Sequence, residues 1–259
     1  MVMHDFARLI CLCLSMAYVT ATVADPVGSQ RQSSYVLMTP ENRAMQDDSS
    51  QNPATFWVLD GESLWQAPAG SRQTSCAKCH GADGTSMKGV AASFPKFVGS
   101  TLLNLSDQVN VCRQTHQGAE PFAQESKPLL ALTSFIGQQS RGMPITVEQN
   151  AVNAQALEAG KTLFYQRLGQ LNLSCAQCHA ERSGQKLGGN PIPQGHPTAY
   201  PLYRLEWQSV GSLQRRLRNC MTGVRAEPFA LGAKELVELE LFLMWRARGM
   251  VIETPGVRP

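Results

Sequence analysis

Apolar residues recur at helical spacing in two well-separated stretches. Leu236, Leu239, Phe242 and Leu243 line one face of a helix, and Leu129, Leu132, Phe135 and Ile136 line another. Each stripe predicts a long core helix, with Gly137 and Gly249 as terminators. A shorter helix, over Gly61–Trp65 and again over Gly160–Phe164, precedes each stripe. Between the elements the chain is polar or rich in Gly and Pro. The stretch from Asp25 to Thr55 carries Ser, Gln and Asp with no periodic apolar face, and reads as an extended arm or surface loop.

One apolar run is of another kind. Leu9 to Val19 follows Arg8 and precedes small residues, with Thr22 and Ala24 placed for cleavage before Asp25. This pattern predicts a secretory signal peptide over residues 1–24 and export to the periplasm. Cys11 and Cys13 would leave with it. The run is too short to span a bilayer, and no later run approaches the required length. Of the 259 residues, about 235 remain after cleavage, enough for one large or two small domains. The formal charge of +3 is modest, and basic residues cluster only at Arg215, Arg216 and Arg218, so nucleic-acid binding is not indicated.

The helical pattern is duplicated. Gly61-Glu-Ser-Leu64-Trp65 is echoed by Gly160-Lys-Thr-Leu163-Phe164 at an offset of 99 residues. At an offset of 107, Glu120-Pro121-Phe122 matches Glu227-Pro228-Phe229, Lys127 matches Lys234, and Arg141-Gly142-Met143 matches Arg248-Gly249-Met250. An insertion of about eight residues is therefore expected, and Gly188 to Pro201 is its natural place. The expected fold is mainly α: an arm over residues 25–60, then tandem helical domains over 61–147 and 148–259.

The haem expectation comes from Cys76-Ala-Lys-Cys79-His80 and Cys175-Ala-Gln-Cys178-His179, which lie at the same offset of 99. Cys-x-x-Cys-His is the attachment run of c-type haem. The thiols add to the haem vinyl groups, and His80 or His179 becomes the proximal iron ligand. Zinc would call for further Cys or His pairs nearby, and none follows either run. Two covalent haems c are expected, one in each of the tandem domains, which makes them cytochrome c-like.

Cys112 and Cys220 remain, at nearly equivalent places in the two halves. They could form one disulfide, be buried thiols, or each serve as distal ligand to the haem of its own half. Duplication favours the last, since two copies of one domain reuse one ligand position. Met143-Pro144, with Met250 as its repeat mate, and His116, four residues after Cys112, are rival distal ligands. His196-Pro197 has no mate and reads as structural or surface-exposed. Around Cys220 four arginines gather: Arg215, Arg216, Arg218 and Arg225. On a helix Arg216 lies one turn before Cys220, where a guanidinium favours thiolate and suits an oxyanion.

These residues together resemble the SoxA family, the larger cytochrome subunits of the SoxAX complexes of bacterial sulfur oxidation. The resemblance rests on both haem motifs, Cys112, Cys220-Met221-Thr222-Gly223, Arg216, Glu227-Pro228-Phe229, and Met45-Gln46-Asp47-Asp48 with Asn52-Pro53 in the arm. It covers nearly the whole mature chain and implies a diheme L-cysteine S-thiosulfotransferase. Such a protein pairs with a SoxX-like monohaem cytochrome and joins thiosulfate oxidatively to a cysteine of the SoxYZ carrier. The resemblance assigns catalysis to Cys220, often a persulfide in the family, and to Arg216. It makes the second haem, held by His179 and Cys220, the active one, and the first, held by His80 and Cys112, a relay or relic. Rival expectations are a plain diheme electron carrier and a thiosulfate dehydrogenase forming tetrathionate.

Overall fold

The computed structural model describes residues 31–259. The signal peptide and residues 25–30 of the arm lie outside that range. In chain order the elements are α1 (Pro40–Asp47), α2 (Thr55–Gln66), α3 (Cys76–His80), β1 (Lys96–Val98), β2 (Thr101–Leu103), α4 (Leu105–Cys112) and α5 (Lys127–Gln138). They continue as α6 (Ala154–Tyr165), α7 (Cys175–His179), β3 (Lys186–Leu187), β4 (Asn190–Pro191), β5 (Leu202–Arg204), β6 (Ser209–Gly211), α8 (Leu213–Gly223), α9 (Lys234–Arg246) and β7 (Gly256–Arg258). The order α2 to α5 is repeated as α6 to α9, so two cytochrome-like lobes stand in tandem.

The lobes share their packing logic. In each, the first helix crosses the last so closely that only glycine fits. A Cβ on Gly61 would sit 2.1 Å from the Ala131 carbonyl oxygen, and one on Gly160 would sit 2.0 Å from that of Glu238. Those contacts bring Trp65 against Phe135 and Phe164 against Phe242, at ring-centre distances of 5.4 Å in both cases. The predicted stripes form the two cores: Leu129, Leu132, Phe135 and Ile136 in one, Leu236, Leu239, Phe242 and Leu243 in the other.

A ladder joins the lobes. Pro144 and Val251 form an antiparallel bridge. Around it Gly142 N–H donates to the Ile252 carbonyl, and Ile252 N–H to that of Met143, at 2.8 and 2.9 Å. Ile145 N–H likewise donates to Met250, and Gly249 N–H to Ile145. The turns that feed the ladder need a left-handed residue, met by Gly142 and Gly249, both at φ +78°. Gly137, expected to terminate its helix, does not do so through a left-handed turn. It lies inside α5, where a Cβ would press to 2.7 Å from Thr254 Cγ2.

The arm is not extended in its described part. Thr39 caps α1 by accepting from Asn42 N–H, and Pro40 opens the helix. Buried Gln46 accepts from Val257 N–H at 3.0 Å, and Asn52 donates to the Pro255 carbonyl at 2.9 Å. Ala54 packs with Leu130 of the first lobe and with Tyr203 and Val210 of the second. Polar residues that look solvated in sequence thus hold the arm to β7 and across both lobes. β7 in turn runs parallel to β5, which pairs antiparallel with β6.

The extra length of the second lobe is spread over two places. One is the stretch between α7 and Pro201, which carries the β3–β4 hairpin and so begins before Gly188. The other is the turn Leu205–Gln208 between β5 and β6, where the first lobe has only Gly99–Ser100.

Candidate haem and sulfur-oxyanion site

Each Cys-x-x-Cys-His run forms its own short helix because a serine caps it. Ser75 accepts from Lys78 N–H and Ser174 from Gln177 N–H, both at 3.2 Å. In α7 the Gln177 side chain also accepts from Ser174 N–H at 2.9 Å, completing a capping box. Spacings of three and four residues then set both thiols and the imidazole on neighbouring positions of one face.

Cys112 ends α4 and Cys220 lies in α8, each eight residues after its N-cap, Asn104 or Ser212. Burial pushes the Cys76 thiol up, and the charge of nearby Cys112 adds to it. Burial pushes Cys175 up to about 11, with the charge of Cys220 adding again. Each remaining cysteine therefore faces the attachment run of its own lobe. All six described cysteines are free, so no disulfide joins Cys112 to Cys220.

Of the rival ligands, Met143 and Met250 lend their backbones to the ladder between the lobes, while the Met250 side chain packs against the core of the second lobe and that of Met143 lies beside Gly89. His116 is exposed, in the π-helical turn Arg113–Gln117 that follows α4. His196 is buried at 8 % exposure rather than on the surface. Burial holds its imidazole down to about 4, and the nearby cations Arg246 and Arg31 act in the same direction.

His179 Nδ1 hydrogen-bonds the Pro193 carbonyl at 2.8 Å, leaving Nε2 available for iron. Burial holds this imidazole below its usual range, partly offset by the Pro193 bond. Gly195, at φ +75°, passes so close that a Cβ would sit 3.1 Å from His179 Cγ. Pro193 and Gly195 come from the inserted segment, and no sequence signal marks them as supports of a ligand. His80 is exposed and braced differently. Its ring lies 5.7 Å from Trp65, whose Nε1 donates to the Gly81 carbonyl at 2.8 Å.

The arginines of α8 separate by what they touch. Arg215 lies over the Trp207 ring at 4.3 Å and donates to Ser209 Oγ at 3.1 Å. Arg218 donates to the Phe229 carbonyl. Asn110 does the same in the first lobe, donating to the Phe122 carbonyl at 2.9 Å. Among the described residues the guanidinium of the half-buried Arg216 makes no hydrogen bond or ion pair, and its charge is felt at His179, at Tyr200 and at Glu206. Four residues separate it from Cys220 within one unbroken helix. The matching position in α4 is Gln108, whose Nε2 lies 3.2 Å from Cys112 Sγ.

Free paired thiols beside a committed imidazole, with Trp65, Phe135, Phe164 and Phe242 in the cores they pack against, are what covalent haem requires. The fold and this donor set define a c-type cytochrome carrying haem c. The family model described as SoxA/TsdA, cytochrome c domain, matches residues 60–145 and 159–252. The chain is 36 % identical to the L-cysteine S-thiosulfotransferase subunit SoxA of Pseudaminobacter salicylatoxidans, over 87 % of this chain and 80 % of that one. It is 32 % identical to the subunit of the same name from Rhodovulum sulfidophilum, over 88 % and 80 %. A crystal structure of SoxXA from P. pantotrophus superposes with a TM-score of 0.85 at 32 % identity, covering 88 % of this chain and 87 % of that one. The chain belongs to the SoxA/TsdA cytochrome c family.

Proposed function

We propose that this protein is a diheme L-cysteine S-thiosulfotransferase that joins thiosulfate to a cysteine of a SoxYZ-like carrier. The observation that carries this reading is the uncommitted guanidinium of Arg216, one helical turn before Cys220. Relatives named as thiosulfotransferase subunits support it over most of the chain.

His80 and Cys112 would hold one haem, and His179 and Cys220 would hold the other. Bound haem supplies an acceptor that takes electrons one at a time. The carrier cysteine loses its proton, its sulfur bonds to the outer sulfur of thiosulfate, and two electrons leave. Both sulfur partners carry negative charge as they approach, so an uncompensated site would repel them. Arg216 binds the sulfonate end and offsets that repulsion. Cys220 presents its sulfur one helical turn after this cation. The Pro193 carbonyl keeps His179 in one tautomer and orientation.

The electrons leave to a SoxX-like monohaem cytochrome, by likeness to the SoxXA structure. The work takes place in the periplasm, which the signal peptide expected over residues 1–24 would reach. Among the described residues no helix is long and apolar enough to cross a membrane.

Mass spectrometry of the exported protein tests the haem count: two haem additions are expected, with any persulfide on Cys220 read as extra sulfur. Near-infrared magnetic circular dichroism tests the distal ligands, and methionine signatures from both haems would sink the transferase reading. Tetrathionate formed by the purified chain without a carrier would replace it with a dehydrogenase.

A further inference from the structure

Matching positions of the two lobes meet at one cavity of about 90 Å³. Asn104 and Ser212, the N-caps of α4 and α8, both line it. So do Thr133 of α5 and Glu240 of α9, which are repeat mates at the offset of 107. This last pair differs in chemistry. Thr133 turns its hydroxyl back to the Leu129 carbonyl of its own helix at 2.8 Å. Glu240, only 9 % exposed, instead accepts from Asn104 Nδ2 at 3.2 Å. Two more acidic residues stand at the same helix starts. Asp107 closes the capping box of α4, and Glu125 accepts from Ser212 N–H at 3.2 Å. No Lys, Arg or His lines the cavity, and among the described residues no cluster of His, Cys, Asp or Glu is able to hold a metal ion. A proton is then the cation left to neutralise Glu240. Burial, with Asp107 and Glu125 adding negative charge, pushes its carboxyl up to about 8.

Gln214, 3 % exposed, lines the cavity too, and its Nε2 has no hydrogen-bond partner among the described residues. A polar chamber with an unspent buried donor and a carboxyl suits water, which carries protons. Ser106 and Gln124 in its wall are half-buried and open it toward solvent.

We propose that Glu240 is a redox-linked proton site shared by the two lobes. It rests on the distal ligation read above, not on the transferase chemistry. Cys112 and Cys220 each stand eight residues after a cap that lines the cavity, about 12 Å along the helix axis. An electron arriving at either haem adds negative charge that favours the neutral carboxyl. The Glu240 carboxylate therefore takes one proton from solvent through the cavity, and releases it when the partner cytochrome removes the electron. Across about 12 Å at an effective dielectric of about 20, one charge shifts such an equilibrium about tenfold.

Potentiometric titration of the haem-loaded protein with its partner cytochrome, from well below to well above pH 8, tests this. Midpoint potentials of this chain should fall as pH rises through that value, by about 59 mV in total, tenfold for one electron. Glu240→Gln should abolish the fall. Reduction of the wild type above pH 8 should also take up protons, read with a pH indicator in weak buffer, and should give a protonated-carboxyl band in the infrared difference spectrum. Flat wild-type potentials without proton uptake overturn the proposal, and so does a fall that persists in Glu240→Gln. Near-infrared magnetic circular dichroism of the same samples keeps the two failures apart. Thiolate signatures with flat potentials sink the proton site alone, whereas methionine signatures sink the ligation on which it rests.

Discussion

The two lobes have one fold and two chemistries. Both cap a Cys-x-x-Cys-His helix with serine, cross their main helices through a glycine, and aim a cysteine at the attachment run from the helix that follows a short hairpin. They part at the residues around that cysteine. The first lobe offers Gln108 and an exposed His80. The second offers Arg216 and a His179 fixed by the Pro193 carbonyl. Structure that serves haem binding has been kept in both copies, whereas charge and hydrogen-bond donors suited to an anion occur in one. Arg218 illustrates the first kind, because it makes the same bond to Phe229 that Asn110 makes to Phe122. A basic residue near a thiol is therefore no guide to function until its partners are known.

The largest expected effect breaks the comparison at α8. Arg216→Gln, which puts the α4 residue into the active lobe, should lower thiosulfate turnover about 100-fold or more, as removal of one oxyanion donor does. Gln108→Ala in the first lobe should leave turnover near wild type. Absorption spectra showing both haems bound confirm that loading is intact. Equal turnover losses in the two variants would mean that the lobes are not specialised in this way.

Glycine crossings test what the lobes share. Gly61→Ala and Gly160→Ala should each destabilise by about 1–3 kcal/mol through overpacking against a carbonyl that cannot move freely. Chemical denaturation of each variant measures it. The two values should be similar, since the clash distances are 2.1 and 2.0 Å.

The seam between the lobes is expected to be pH-sensitive. Burial pushes Glu240 up to about 8 from its ordinary value of 4.5, while the hydrogen bond from Asn104 pulls the other way. Asp107 and Glu125 of the first lobe face it and add their negative charge. The folded state thus holds the Glu240 proton to higher pH than the unfolded chain does. Its contribution to stability is full below pH 4.5 and is lost as pH rises through about 8. Tm should fall across that window, by about 2–4 °C for each kcal/mol lost. Glu240→Gln should flatten the dependence, and an unchanged slope would place the sensitivity elsewhere.

The smallest effect is expected from building the second site in the first lobe. Gln108→Arg should give the N-terminal lobe weak oxyanion affinity, measurable as a perturbation of its haem spectrum by sulfite. Turnover should change little, because the exposed His80 has no counterpart of the Pro193 bond. A large gain in turnover would show that donors alone make the active lobe.

Much of the molecule was legible in the sequence, because local spacing carries its meaning with it. The apolar stripes became α5 and α9, the duplication became two lobes, and Arg216 and Cys220 lie on one helix as their spacing predicts. The arm was misread since Gln46 and Asn52 look like solvent-facing polar residues, yet both spend their amides on the backbone or side chains of the C-terminal segment, more than 200 positions away. His196 was likewise read without sight of what covers it.

By itself the sequence determined which groups recur and at what interval: the thiols, the imidazoles, the repeated glycines and the helix faces. Those depend on near neighbours along the chain. Tertiary structure alone decided that Arg216 keeps its guanidinium free while Arg215 and Arg218 do not, and that an inserted loop braces His179. Each of those outcomes depends on hydrogen bonds and charges between distant segments, and chain spacing holds no record of them until the lobes have folded.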